Sequence, residues 1–357
     1  MRSLVRETLS QSGRRKAGFM KLKSLNRMCG RRGGDAGLPA PAIALLCLLA
    51  SIFVRPAAAA DINFVTDFGF NGRHAYFYVA REKGYYKAEG LDVSFVRGQG
   101  SADAIKKVAA GIATFGFADA GSLVLARGND GVPVKLVSIV YAKPPQAIFA
   151  IKGGGIASAK DLEGKSIADT ASSSVRLLFP AFAKAAGIDV SKVKWVIAEG
   201  SALPSLLANG RVDAICQFSV GEPLIATAVA PKEVIRISYK DAGLNYYGNG
   251  IIASEDTIAQ HPDQVRAFVR ATIKGMKDAF ANPVEAAEIM AKYQKELAPS
   301  VIEGETRLVG ELAEVNDQPL GKIDAASVAA TVDVMSASFT MKTPVQPTDL
   351  FAPGFVE

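Results

Sequence analysis

The sequence contains few of the residues on which metal centres and many catalytic sites are built. Only two of its 357 residues are histidine and only three are cysteine. The histidines are His74 and His261, and His261 stands beside Pro262 at a predicted helix start, so no histidine-based metal cluster can be assembled. The sequence has no Walker loop, Gly-x-Ser-x-Gly elbow or Cys-x-x-Cys pair. We therefore predict no metal, no cofactor and no catalytic residue.

The scarcity of cysteine and the lack of long apolar runs argue against a disulfide-rich protein and against a membrane protein. Cys216 is the only cysteine after residue 60, so no internal disulfide can form in the rest of the chain. Its fold must depend on a hydrophobic core, for which 49% apolar composition is ordinary. After residue 60 no stretch approaches 18 uninterrupted apolar residues, which predicts no membrane span there.

Basic residues are concentrated at the amino end. Residues 1–60 hold 11 Lys and Arg against 2 Asp and Glu, which leaves 30 against 33 for the remainder. The formal charge of +6 therefore gives no reason to expect a nucleic-acid partner. The apolar run from Ala42 to Val54 and the small residues at 58–60 fit a secretory signal, and we predict cleavage before Asp61 and a periplasmic mature protein. Arg31-Arg32 leaves a twin-arginine export route open.

Strands and helices are predicted to alternate after residue 60. Strands at 62–65, 92–96 and 115–118 are separated by helices at 73–83 and from Ser101 onward, which favours a parallel sheet covered by helices. Short motifs from this part of the chain recur in the same order about 100 residues later. The motif at 90–93 (Gly-Leu-Asp-Val) resembles that at 187–190 (Gly-Ile-Asp-Val), and Gly-Ser-Ala occurs at both 100–102 and 200–202.

These patterns predict an α/β fold with two similar lobes, each a mainly parallel sheet flanked by helices. Glycines at 153–155 and around Asn249 mark the predicted crossings between the lobes. The predicted organisation is a leader at 1–60, a first lobe at 61–150 and 250–342 that includes the C-terminal helices, a second lobe at 151–249, and a tail at 343–357 with little periodicity.

The passage at 73–93 carries a family resemblance, and it reads RHAYFYVAREKGYYKAEGLDV. It resembles the start of the periplasmic solute-binding proteins of ABC importers, in the branch that includes binders of nitrate, sulfonate and thiamine-pyrimidine precursors. The resemblance spans residues 61–300. It implies a type II-like two-lobe protein that closes on a small-molecule ligand by hinge motion and delivers it to an ABC permease in the inner membrane. We expect a monomer.

Candidate ligand-binding residues cluster where strands give way to helices. The first group is Asp67, Phe70, Asn71 and His74, and His74 matches the position of a histidine in the thiamine-pyrimidine branch. A neutral imidazole there could bind a ligand heteroatom while Phe70 or Phe68 stacks on a ring. The alternative is that His74 is a buried spacer and the phenylalanines belong to the core.

Other candidates follow later strands. Ser101, Asp119 and Ser122 stand at two predicted helix starts, and Ser172, Ser173 and Ser174 form a hydroxyl-rich turn that suits an anion. Each of these could instead be a helix N-cap. Glu222, beside Pro223, is a candidate acceptor for a ligand amine or else a surface acid. Tyr246 and Asn249 lie at the predicted return crossing.

Aromatic and acidic candidates outnumber basic ones, which favours a flat nitrogen-bearing ring such as a pyrimidine or vitamin precursor as the ligand. A sulfonate, nitrate or aromatic carboxylate remains an alternative, as does a sensor on the same fold. A pyrimidine-forming enzyme of the thiamine route resembles this chain, but that enzyme needs a cysteine-rich segment, and only Cys216 remains after the leader. We therefore expect no enzyme activity.

Overall fold

A computed structural model describes residues 59–314 and 318–356. The predicted leader lies almost wholly outside the described residues. Two five-stranded sheets form the framework. The first contains, in spatial order, β2 (Leu91–Val96), β1 (Ala60–Val65), β3 (Phe115–Asp119), β10 (Asn249–Ser254) and β4 (Val134–Ile139). The second contains β7 (Lys194–Ile197), β6 (Ser166–Asp169), β8 (Ala214–Phe218), β5 (Gln146–Ile151) and β9 (Val234–Ser238).

The two sheets share one topology, as the repeated motifs predict. β1 runs parallel to β2 and β3, and β6 runs parallel to β7 and β8. Each sheet also contains one antiparallel strand, β10 in the first and β5 in the second. These are the strands that follow the two passages between sheets, so each sheet is mixed rather than wholly parallel.

The chain passes between the sheets earlier than the glycine run at 153–155 suggests. β5 already pairs with β8 and β9, so the first crossing lies between Ile139 and Gln146. The return lies between Ser238 and Asn249, next to the predicted position. Residues 146–150 therefore belong to the second sheet. The predicted lobe boundaries otherwise stay predictions.

Thirteen α-helices are found among the described residues, joined by short 3₁₀ turns. They are α1 (Ala75–Glu82), α2 (Tyr85–Ala88), α3 (Ser101–Ala109), α4 (Ala120–Asp130), α5 (Ser174–Ala186), α6 (Leu203–Ala208), α7 (Glu222–Val229), α8 (Glu255–Gln260), α9 (Pro262–Ala281), α10 (Pro283–Ala291), α11 (Pro299–Ala313), α12 (Ala325–Ser338) and α13 (Pro347–Leu350).

An aromatic core fixes α1 against the first sheet. Phe268 on α9 stacks on Phe115 of β3 with ring centroids 4.4 Å apart, and Phe77 on α1 lies 4.3 Å from Phe64 on β1. Large buried rings contribute strongly to stability through the apolar area that they remove from water. The 3₁₀ turn at 72–74, which leads directly into α1, is therefore held on a rigid support.

The C-terminal helices contact elements beside both sheets. α9 packs on α1, while α11 contacts both the turn at 72–74 and α7 beside the second sheet. The tail at 343–357 is folded onto β4 in its described part. The Ala352 N–H donates to the Leu136 carbonyl at 2.9 Å, and Leu350 is buried. Among the described residues no helix combines the length and apolarity needed to cross a bilayer, and Cys216 is a buried free thiol.

Removing the cap of α8 should cost a small, measurable amount of stability. Ser254 Oγ accepts a hydrogen bond from the Thr257 N–H at 3.1 Å. We expect Ser254→Ala to lower the free energy of unfolding by about 1 kcal/mol, measured by urea denaturation. Ser254→Thr keeps the hydroxyl and should lose less. Equal losses in the two variants would contradict a capping role.

Candidate functional site

Two cavities lie at the carboxyl ends of parallel strands from both sheets. An inner cavity of about 10 Å³ is lined by Asp67, Arg73, Ser101, Ser173 and Ser174, together with Phe68, Gly100, Val175, Cys216, Gln217 and Phe218. An outer cavity of about 690 Å³ is lined mainly by residues 68–71, 97–99, 170–172 and 197–201. Both take residues from the two sheets, which is where open α/β sheets bind ligands. The volume of the outer cavity suits a small-molecule ligand.

Asp67 is the centre of a buried network behind the inner cavity. Its Oδ1 lies 2.8 Å from His74 Nε2, and its Oδ2 accepts a hydrogen bond from Asn249 Nδ2 at 2.9 Å. His74 Nδ1 accepts a hydrogen bond from the Asn71 N–H at 3.2 Å. Both imidazole nitrogens are thus occupied by protein groups, and Nε2 must carry the hydrogen because Nδ1 accepts.

The charges of this network follow from burial and from Arg73. Burial lowers the pKa of His74 below its ordinary value, and Asp67 only partly opposes that effect, so the imidazole is neutral. Burial alone would raise the pKa of Asp67, but the Arg73 guanidinium and the His74 hydrogen bond outweigh it and hold that pKa below its usual range. His74 therefore orients Asp67 in this structure. It does not line either cavity.

Arg73 is a buried cation whose donors are only partly used. Its side chain is 1% exposed, and its Nη1 donates to Gln217 Oε1 on β8 at 3.0 Å. Nη2 lies 3.5 Å from Asp67 Oδ1. Neither Nε nor Nη2 has a hydrogen-bond partner among the described residues. A buried unpaired donor costs about 1–3 kcal/mol, and more when it is charged. Such a group in a cavity wall is typical of a ligand contact.

Glu305 of α11 supports this turn from behind. Its Oε2 accepts a hydrogen bond from the Arg73 N–H at 2.9 Å. Burial raises the pKa of Glu305 to about 7, although Arg73 acts in the opposite direction. The carboxyl therefore anchors the backbone of Arg73 and leaves the guanidinium directed elsewhere.

Asp119 connects the two sheets through an amide. Its Oδ2 accepts from Gln146 Nε2 on β5 at 2.7 Å, and Gln146 Oε1 accepts from Tyr246 Oη at 3.0 Å. The Asp119 Oδ1 accepts from the N–H and hydroxyl of Ser122, at 2.7 and 2.9 Å, and so caps α4. Burial raises the pKa of Asp119 to about 6. These polar atoms are satisfied internally.

The serines of the predicted turn at 172–174 have different roles. Ser173 Oγ accepts from the Val175 N–H at 3.1 Å and caps α5, which corresponds to the N-cap alternative. The carbonyl of Ser172, after β6 of the second sheet, accepts from the Ala102 N–H of α3 at 3.3 Å. This hydrogen bond joins the two halves of the molecule, each of which is built on one sheet. Ser101 Oγ accepts from the Asp119 N–H at 3.1 Å. The N-termini of α3 and α5 therefore meet at the inner cavity, while Ser172 lines the outer one.

Phe70, Asn71 and Ser172 are the predicted site residues that line the outer cavity, with Phe68 beside them. The guanidinium of Arg97 lies over the Phe70 ring at 5.0 Å from its centroid. These side chains offer aromatic faces and a few polar atoms, the usual composition of a site for a small ring.

Glu222 stands apart from both cavities. Its carboxylate forms an ion pair with Arg236 and is partly exposed, which corresponds to the surface-acid alternative. Tyr246 and Asn249 are buried one layer behind the cavity walls, where they hold Gln146 and Asp67. Their place at the return crossing is as predicted, but their contacts are with protein.

Three residues that the sequence did not single out are central: Arg73, Gln146 and Gln217. Arg73 stands directly before His74, yet a charge in an apolar passage is the only signal it gives. Gln146 and Gln217 lie on strands whose neighbours in sequence are apolar. Their importance arises from contacts across the two sheets. Among the described residues, no group of three or more His, Cys, Asp or Glu is arranged to hold a metal ion.

Residues 71–286 match the family model described as NMT1/THI5 like. The riboflavin-binding protein RibY of Chloroflexus aurantiacus is 28% identical over 302 residues, which cover 80% of this chain and 83% of that protein. The formylaminopyrimidine-binding protein of Halalkalibacterium halodurans is 25% identical over 300 residues, which cover 83% of this chain and 90% of that protein.

Solved structures agree on the fold. The alkanesulfonate-binding protein SsuA of Xanthomonas axonopodis pv. citri, bound to MOPS, superposes with a TM-score of 0.65 at 15% identity over 83% of this chain and 99% of its own. The predicted two-lobe periplasmic binding protein fold is confirmed, and so is the resemblance to that branch.

Not every relative is a binding protein by name. The 4-amino-5-hydroxymethyl-2-methylpyrimidine phosphate synthase of Schizosaccharomyces pombe is 23% identical over 246 residues, covering 66% of this chain and 70% of that protein. Binding-protein relatives and the fold favour a non-enzyme, but the relatives of this chain include enzymes.

Proposed function

We propose that this chain, which belongs to the NMT1/THI5-like family, is the extracytoplasmic solute-binding component of an ABC import system. The observation that carries the proposal is the outer cavity of about 690 Å³, whose walls come from both sheets. A ligand that contacts both halves at once stabilises their closed arrangement, and a permease can recognise that arrangement. The ABC permease is the partner that we propose, and the periplasm is the compartment.

The ligand that we propose is a small flat ring containing nitrogen, such as a pyrimidine or a flavin-like vitamin precursor. Phe68 and Phe70 supply aromatic faces to the outer cavity, and Asn71, Gln99 and Thr170 supply polar atoms. The relatives named for riboflavin and formylaminopyrimidine support the same class. A simple anion fits less well, because Asp67 already lies 3.5 Å from the buried guanidinium of Arg73.

A ligand screen tests the proposal. Melting temperatures of residues 61–357 are measured with pyrimidines, flavins, aromatic acids and sulfonates. A ligand at 100 times its dissociation constant stabilises the fold by about 2.7 kcal/mol, a shift that such a scan resolves. We expect hits among nitrogen-bearing rings.

Two variants locate the site of any hit. Phe70→Ala should weaken binding about fivefold, since it removes a stacking face of about 1 kcal/mol. Phe70→Tyr keeps the ring and should bind like the wild type. If no compound class shifts the melting temperature, or if a bound compound is chemically converted, the proposed function is wrong.

A further inference from the structure

Two donors of Arg73, Nε and Nη2, make no hydrogen bond to the described residues, although Nη2 also lies in the ion pair with Asp67. Nε and Nη2 lie on the same edge of the planar guanidinium, whereas the third nitrogen, Nη1, is already bonded to Gln217. This edge is the fork with which arginine binds two neighbouring acceptor atoms. The side chain is 1% exposed and lines the inner cavity, so bulk water does not serve it.

The charge around the fork selects against an anion. Asp67 Oδ1 lies 3.5 Å from Arg73 Nη2, and this carboxylate is held by His74 and Asn249. A carboxylate or sulfonate on the fork would place a second negative charge beside Asp67 in a buried site, where like charges repel strongly. Two neutral acceptors avoid that cost and still use both hydrogen atoms.

The side chains around the Arg73 guanidinium would accommodate the edge of a flat ligand ring. The guanidinium of Arg73 faces the rings of Phe68 and Phe218, with centroids at 5.6 and 5.0 Å. Phe68 and Gln217 line both the inner and the outer cavity, so the two cavities adjoin at these residues. A flat ligand that enters the outer cavity while the two halves are open can therefore extend one edge to Arg73 once the Phe68 side chain moves aside, and the halves then close on it.

Resting on the proposed function, we infer that Arg73 is a specificity-determining residue that recognises two adjacent neutral acceptors on the ligand ring, such as a carbonyl oxygen and a neighbouring ring nitrogen. Arginine makes the same bidentate contact with the carbonyl oxygen and ring nitrogen of guanine in DNA. The ligand class is thereby narrowed to rings such as pyrimidinones and flavins.

Pairs of compounds that differ in one acceptor test this inference. The pairs are riboflavin with 5-deazariboflavin, and cytosine with 3-deazacytosine, each losing the ring nitrogen beside a carbonyl. Affinities are measured by titration calorimetry on residues 61–357. We expect at least one compound with both acceptors to bind about tenfold or more tightly than its deaza partner, because loss of one acceptor leaves a buried donor unpaired. In Arg73→Gln that ratio should fall to near one, and in Arg73→Lys, which lacks the planar fork, it should fall partway.

Two further variants guard against a folding artefact. Asp67→Asn combined with Arg73→Gln removes both charges of the buried pair and should fold while still lacking the preference. Arg307→Gln removes a positive charge from the exposed pair with Glu303 on α11 and should keep the ratio of the wild type.

Each other outcome overturns the inference. Equal binding of a compound and its deaza partner, or an unchanged ratio in Arg73→Gln, would show that the fork does not read these atoms. Binding of orotate or nicotinate in preference to neutral rings would show that it takes an anion. If other rings bind but none of these four does, the inference fails and the proposed function stands, whereas a screen without any binder contradicts both.

Discussion

Replacement of Gly100 by alanine is expected to weaken ligand binding about 100-fold, or about 2.7 kcal/mol, by keeping the two halves apart. A Cβ at Gly100 would lie 2.1 Å from the carbonyl oxygen of Ser172, which belongs to the other half. The obstacle is backbone, so it cannot rotate away, and the gap would have to widen to at least 3.0 Å. Contacts made on both sides of a ligand would then not form together.

The conformation of Gly100 adds to the effect. Its φ of +140° is one that residues with a side chain rarely adopt. The interface that it permits includes the hydrogen bond from Thr170 Oγ1 to the Gln99 carbonyl at 3.1 Å. Small-angle scattering should therefore show a larger radius of gyration for the variant than for the wild type in the presence of ligand.

Gly111→Ala is the matched control for this prediction. Gly111 follows the same helix and has a φ of +69°, and a Cβ added there would meet no atom within 4 Å. The variant should lose about 1–2 kcal/mol of stability through its backbone conformation alone and keep its ligand affinity. Equal affinity of Gly100→Ala and Gly111→Ala for the same ligand would show that closing of the two halves does not require the close approach of Gly100 to Ser172.

The framework of the fold could be predicted because it follows from local patterns. The strands predicted at 92–96 and 115–118 are observed at 91–96 and 115–119. The motifs repeated about 100 residues apart correspond to the shared topology of the two sheets. The assignment of Gln146–Ile151 could not be predicted, because an apolar strand between two sheets fits either one, and only its pairing with β8 decides.

Turns that could hold a ligand can be proposed from the sequence, but the contacts of their side chains cannot. The turns after β1 and β6 can be proposed from the rule that ligands sit at the carboxyl ends of strands, and residues of both line the cavities. The turn after β3 lines neither cavity, because Asp119 bonds to Ser122 and Gln146 instead. The sequence leaves His74 either as a ligand contact or as a buried spacer, and in the structure Asp67 and the Asn71 N–H occupy its two nitrogens. The role of Arg73 cannot be predicted from the sequence, because Gln217, which holds its guanidinium, is 144 residues away along the chain.

The protein is expected to become less stable as the pH rises from 5 to 8, because three buried carboxyl groups must ionise without a full counter-charge. Burial raises the pKa of Asp119 to about 6, that of Asp169 to about 6 and that of Glu305 to about 7. In the unfolded chain these groups titrate near 4. A folded pKa above the unfolded one means that the stabilising contribution is complete below the unfolded pKa. It is lost as the pH rises through the folded pKa.

His74 acts in the opposite direction within this range. Its folded pKa is lowered by burial, so the unfolded chain takes up a proton below about pH 6.5 that the folded protein does not. That uptake destabilises the fold in acid, and Asp67, whose pKa is also lowered, adds to the loss only at still lower pH. A variant of a single carboxyl group is therefore needed to isolate one contribution.

Asp119→Asn isolates the contribution of one buried carboxyl group to the pH dependence of stability, with little change in hydrogen bonding. An asparagine Oδ1 can accept from Ser122 as Asp119 Oδ1 does, and rotation of the Gln146 amide would let its oxygen accept from the new amide while its nitrogen donates to Tyr246 Oη. A pKa of about 6 in place of 3.8 means that the ionised form costs about 3 kcal/mol more in the folded protein. We expect the variant to gain roughly 1–2 kcal/mol relative to the wild type between pH 5 and pH 8, measured by urea denaturation at each pH.

Glu163→Gln is the control for the predicted change of stability with pH. Hydrogen bonds from Lys160, the Asp189 N–H and Lys192 lower the pKa of Glu163 to about 2, so this carboxyl stays ionised throughout the range and its loss should shift stability equally at pH 5 and pH 8. If the stability difference between Asp119→Asn and the wild type were also the same at both values, the Asp119 carboxyl would be ionised already at pH 5. The hydrogen bond from Gln146 would then outweigh burial, and the link between β3 and β5 would be a charged one at every pH in the range.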